Sequence, residues 1–137
     1  MEVCEFMEAY TVKDMEEALQ ALDSAIIRSK KAQEKLTVNT SQYTLLKNRM
    51  KALNIASSLI SNKLEQNDGV NNYTKEDLVK ARAPIASLIS KSEKAQKKLD
   101  QDTWQHKMLN NMLKALYMAS HLLSIASDEQ EAENGNL

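Results

Sequence analysis

From Met15 onward, apolar residues recur at alternating intervals of four and three: Met15, Leu19, Leu22 and Ile26, flanked by Ala18, Ala25 and Ala32. That period keeps side chains on one face of an α-helix. The seam then turns polar at Ser29 and Gln33 before closing on Leu36, and it returns 63 residues later as Leu78, Arg82, Ile85, Ile89, Ser92, Gln96 and Leu99. A second pair of seams follows the first. Leu46, Met50, Leu53, Ser57, Ile60 and Leu64 are matched by Leu109, Leu113, Leu116, Ser120 and Leu123. The pattern predicts four amphipathic helices in two hairpins.

The correspondence extends beyond the seams. Residues 10–63 align with residues 73–126 without a gap, and 23 of the 54 aligned positions are identical. A tandem duplication of a helical hairpin follows as the expectation, and two copies are too few for an open solenoid. The predicted architecture is therefore an all-α, up-and-down four-helix bundle formed by one domain, residues 1–127. The stretch Glu65 to Asn72 (EQNDGVNN) carries the turn chemistry of a linker between the copies, and Asp128 to Leu137 (DEQEAENGNL) reads as an acidic disordered tail. The first nine residues suggest a short helix with Val3, Phe6 and Met7 turned inward.

Helix starts can be placed from capping chemistry. Thr11 with Asp14, and Thr74 with Asp77, have capping-box spacing, and the preceding Tyr10 and Tyr73 can staple onto Met15 and Leu78. The second and fourth helices are expected to begin after Asn39 and Asp102, with Gln42 and Gln105 in the box position. Pro84 replaces Ala21 of the first copy well inside the third helix, where its missing N–H should bend or break the helix.

Two features of the pattern are not explained by a minimal bundle. The first is the polar pair at the centre of the apolar arc, Ser29 and Gln33 with Ser92 and Gln96. Its leading interpretation is a buried polar layer that fixes helix register. The alternatives are a wet bundle mouth near the helix ends and a small polar cavity for a ligand. The second is a surplus apolar stripe, Leu45, Ala52, Ile55 and Leu59 on one helix and Met108, Ala115, Met118 and Leu122 on its counterpart. It widens the apolar arc beyond the face that a bundle helix buries, which predicts an exposed interface for another chain. A second copy related by two-fold symmetry is the simplest partner.

Composition narrows the function classes. With 137 residues the chain can build a self-sufficient core, and two glycines and one proline fit helices better than sheets and turns. The single cysteine, Cys4, cannot form an internal disulfide, and the acidic N-terminus lacks a signal-peptide pattern, so a soluble cytoplasmic protein without a membrane association is expected. Net charge is only -1, but the lysines gather near the ends of the first and third helices. Lys31, Lys35, Lys94 and Lys98 would make one bundle end basic, although complementing the helix dipole accounts for their placement equally well. A nucleic-acid partner is disfavoured because no recognition motif or interleaved aromatic residues accompany them.

Catalytic chemistry is not indicated. Two histidines and one cysteine give no metal-ligand spacing, and there is no glycine-rich phosphate loop or nucleophile elbow. No catalytic residue, cofactor or metal is expected. His121 falls on a polar helix face, and Trp104 and His106 are expected to plug the bundle end. The function that follows is a non-enzymatic protein acting through protein–protein interaction, in a regulatory or assembly role. A nucleic-acid-associated protein is the alternative, and a small-ligand-binding bundle or enzyme is third.

Overall fold

A computed structural model describes residues 10–65 and 73–135, with side chains described as far as Asp128. The expected N-terminal helix and most of the linker lie outside the described residues, as does Cys4. Four helices follow in chain order: α1 (Val12–Glu34), α2 (Ser41–Leu64), α3 (Lys75–Lys97) and α4 (Trp104–Gly135). Each helix packs on its two neighbours around the bundle, with α1 against α2 and α4, and α3 against α2 and α4. The diagonal pair α2 and α4 also touch. This is the up-and-down four-helix bundle that the sequence predicts.

Local chemistry fixes the helix starts. The Thr11 hydroxyl accepts from the Asp14 N–H at 3.0 Å while the Asp14 carboxylate accepts from the Thr11 N–H, and Thr74 with Asp77 repeats the box. Each box satisfies two backbone donors that the first helical turn leaves orphaned. Tyr10 and Tyr73, half-buried, pack against the core beside these caps. The caps of α2 and α4 lie one residue later than expected, at Thr40 and Thr103, whose hydroxyls accept from the N–H groups of Tyr43 and His106 at 3.2 Å. Asn39 cannot cap because it occupies the turn itself with φ 73, a left-handed conformation that asparagine tolerates better than most residues.

Two further expectations are corrected. Of the two outcomes expected at Pro84, bending or breaking, the break is overturned, because α3 runs continuously from Lys75 to Lys97. Packing of Leu78, Ala81 and Ile85 into the core holds the helix together on both sides of the proline. The acidic stretch from Asp128 is not a separate tail in the structure either, because α4 continues to Gly135. Nothing in that stretch interrupts a helix before Gly135, and alanine and glutamate both sustain one.

The core draws on α1 through Met15, Ala18, Leu22 and Ala25, and on α3 through Leu78, Ala81 and Ile85. The larger share comes from α2 and α4. Ala52, Leu53, Ile55, Ala56, Leu59 and Ile60 of α2 are buried, as are Met112, Ala115, Leu116, Met118, Ala119, Leu122, Leu123 and Ala126 of α4. This overturns the expected interface for six of its eight residues. Ala52, Ile55, Leu59, Ala115, Met118 and Leu122 form part of the internal core, and only Leu45 and Met108 remain exposed.

The physical reason is the diagonal contact. A bundle helix with two neighbours buries a narrow stripe, whereas α2 and α4 each have three neighbours and need a wider apolar arc. Ala56 and Ala119 sit in the middle of the two arcs, where their small side chains permit the diagonal approach. Arg82 and Ser120, which spacing puts on the seams, are exposed, while Ala81 and Ala119 beside them are buried.

Candidate functional site

Burial stops short of the hairpin tips. No residue from Lys30 to Lys51 or from Ala86 to Asn111 is buried, so two hairpin ends extend beyond the shared core. Exposed apolar side chains are found there: Val38 and Leu45 on one hairpin, Trp104 and Met108 on the other. Trp104, at the first position of α4, is 68% exposed and does not plug the bundle end. His106 and His121 are half-buried on the same helix.

The polar pair does not form a layer across the bundle. Gln33 donates through Nε2 to the Tyr43 carbonyl at 3.4 Å, and Gln96 donates to the Asn110 Oδ1 at 3.5 Å. Each glutamine therefore ties α1 to α2 or α3 to α4 within its own hairpin. Ser29 is buried, while Gln33, Ser92 and Gln96 are only half-buried. The shared core has ended by this level, which leaves the glutamines wet and too far toward the tips to meet.

Between the hairpins the arrangement is reciprocal. Lys114 of α4 lies 2.6 Å from the Asp14 carboxylate of α1, and Lys51 of α2 lies 3.4 Å from Asp77 of α3. Both pairs join a helix-cap carboxylate of one hairpin to the middle of a helix in the other. The Lys114 hydrogen bond, helped by the Thr11 backbone N–H, lowers the Asp14 pKa to about 2. Asp77 is also lowered, chiefly by the Thr74 backbone N–H. Tyr117 donates to Glu93 at 2.9 Å, and that carboxylate holds the phenol above its ordinary pKa.

A groove runs between the hairpins on each side of the bundle. One, of about 610 Å³, runs between α2 and α3 and is lined by Leu45, Ala52, Ile55, Ala81 and Pro84, with Lys51 and Lys80 among its polar residues. The other, about 320 Å³, runs between α1 and α4 and is lined by Ala21, Ser24, Met108 and Met112, with Glu17 and Arg28 among its polar residues. Leu45 and Met108, the two stripe residues left exposed, thus become groove walls. Sequence spacing alone could not find the grooves, because they depend on how far apart the hairpins stand.

The basic residues singled out by sequence, Lys31, Lys35, Lys94 and Lys98, are all exposed near the ends of α1 and α3. Among the described residues, no group of three metal-binding side chains comes together, and no helix is long and apolar enough to cross a membrane. Comparison with protein-family models, with curated proteins and with solved structures gave no match.

Proposed function

We propose that this chain is a non-enzymatic, cytoplasmic helical-bundle protein that acts through protein–protein contacts in a regulatory or assembly role. The observation that carries this reading is the set of apolar side chains the bundle leaves uncovered at its tips and groove walls. Leu45 is 54% exposed, Met108 43% and Trp104 68%, all on segments that contribute no buried residue to the core. Leu45 lines the α2–α3 groove together with Lys51 and Lys80, the apolar centre and polar rim usual in a contact surface, and Met108 lines the separate α1–α4 groove. A second copy of the chain is the simplest occupant. An association with nucleic acid through Lys31, Lys35, Lys94 and Lys98 competes with this reading, and the exposed indole of Trp104, six residues after Lys98 in the sequence, favours it.

The test is association measured by light scattering and by copurification from the native host, with wild type compared against Leu45→Glu/Met108→Glu and Trp104→Ala. Loss of a stoichiometric partner or of a dimer in these variants, with helicity unchanged, supports the reading. A wild-type chain that remains monomeric and partnerless contradicts it. Binding to generic DNA or RNA that weakens steeply with salt favours the nucleic-acid alternative.

A further inference from the structure

The two inter-hairpin grooves occupy corresponding places. Leu45, Asn48, Pro84 and Ser87 of the α2–α3 groove stand 63 positions from Met108, Asn111, Ala21 and Ser24 of the α1–α4 groove. Their chemistry differs in two respects. The α2–α3 groove is almost twice as large, at about 610 Å³ against about 320 Å³. The sign of the charge also reverses at one pair of positions, since Lys80 lines the larger groove where Glu17 lines the smaller.

The larger groove combines an apolar floor with a basic rim. Leu45, Ala52, Ile55, Ala81 and Pro84 supply carbon surface, and Lys51 and Lys80 line it from opposite helices, outnumbering the one lining carboxylate, Asp77. Both lysines hold carboxylates, the half-buried Asp77 at 3.4 Å and the exposed Glu76 at 2.6 Å. The Lys80–Glu76 pair is exposed on both sides, and such a pair is weak enough for an incoming carboxylate to compete. The adjoining tip, Lys30 to Lys51, contains six basic residues and one acidic, a net charge of +5 that biases the open end of the groove toward anions.

We propose that the α2–α3 groove docks an amphipathic helix of a partner protein, apolar on one face and acidic along its flanks, and that the α1–α4 groove does not. The proposal rests on the protein-interaction reading and names the partner's chemistry. From Leu45 to Ile55 the α2 wall spans about 15 Å, which is two to three turns of a docked helix with anchors at i, i+3 or i+4, and i+7. An apolar floor offers a phosphate backbone nothing, whereas an acidic amphipathic helix uses floor and rim together. The smaller groove has about half the volume, and its Glu17 and Arg28 balance each other, so it offers such a helix no excess of positive charge.

The experiment uses the isotope-labelled full chain and a synthetic amphipathic peptide with leucines on one face and glutamates on the flanks. A second peptide carries lysines in place of the glutamates. Amide shift changes are expected at Leu45, Asn48, Ala52, Ala81, Ala83 and Ser87. Lys80→Glu should weaken the acidic peptide at least about tenfold, because it replaces attraction with repulsion, and Glu17→Lys should leave its affinity unchanged. Lys80→Gln, measured beside it, separates loss of the charge from any effect of reversal on helix stability. Absence of binding overturns the proposal, as does equal affinity for both peptides or shifts gathered at Gln20, Ser24 and Met108. Shifts confined to Val38 and Trp104 remove the groove while leaving the protein-interaction reading intact.

Discussion

Lys114 and Asp14, one hundred residues apart in sequence, meet at 2.6 Å, and the pair 63 positions away in each direction, Lys51 and Asp77, meets at 3.4 Å. Each hairpin contributes one lysine and one carboxylate, so the two hairpins clasp each other reciprocally. The carboxylates are already fixed by their capping boxes, which spares the entropy of ordering them again. Lys114→Gln is therefore expected to leave α1 capped while moving the Asp14 pKa from about 2 back toward 3.8. An NMR titration of the Asp14 carboxyl checks this. A pKa that does not move shows that the lysine is not its main partner.

Stability should fall with acid in a defined window. Asp14 has a folded pKa depressed below its unfolded value, so its contribution is complete above about pH 4 and is lost as pH falls toward about 2. Asp77 and Glu76 are shifted in the same direction, Glu76 mainly by its hydrogen bond from Lys80. The urea midpoint of the wild type is expected to drop across this interval, and that of Lys51→Gln/Lys114→Gln to drop less. Parallel curves would contradict the assignment.

The helix caps give a separate test. Thr40→Ala and Thr103→Ala should each destabilise the protein by about 1 kcal/mol, the ordinary cost of losing an N-cap oxygen. Gln42→Ala, at the box position expected from sequence, should change little. Asn39→Gly should be tolerated, whereas Asn39→Ala should cost about 1 kcal/mol, because alanine resists the left-handed region. Urea unfolding of the five variants measures all of these.

Much of the fold was legible because its determinants are local. Capping boxes at Thr11 and Thr74, the short loops after Lys35 and Lys98 and the three-four periodicity all act within a few turns of helix. The errors came from relations between helices. Ile55 and Met118 looked surplus because the arc width was judged for a helix with two neighbours, and the diagonal contact of α2 with α4 supplies a third. Gln33 and Gln96 continue an apolar seam, but no residue is buried beyond Ser29 on that hairpin tip, and each glutamine bonds within its own hairpin. Neither the depth of the shared core nor the groove volumes are encoded in spacing along one helix.

The most direct measurement is thermal unfolding, followed by circular dichroism, of two double variants. The stripe divides into core residues, Ile55 and Met118, and exposed groove walls, Leu45 and Met108. Ile55→Glu/Met118→Glu should abolish the cooperative transition, because a charge at a fully enclosed site has no partner. Leu45→Glu/Met108→Glu should melt within a few degrees of wild type, a shift of under about 1 kcal/mol. If the first variant instead melts like wild type and the second unfolds, the core lies elsewhere and the account is contradicted.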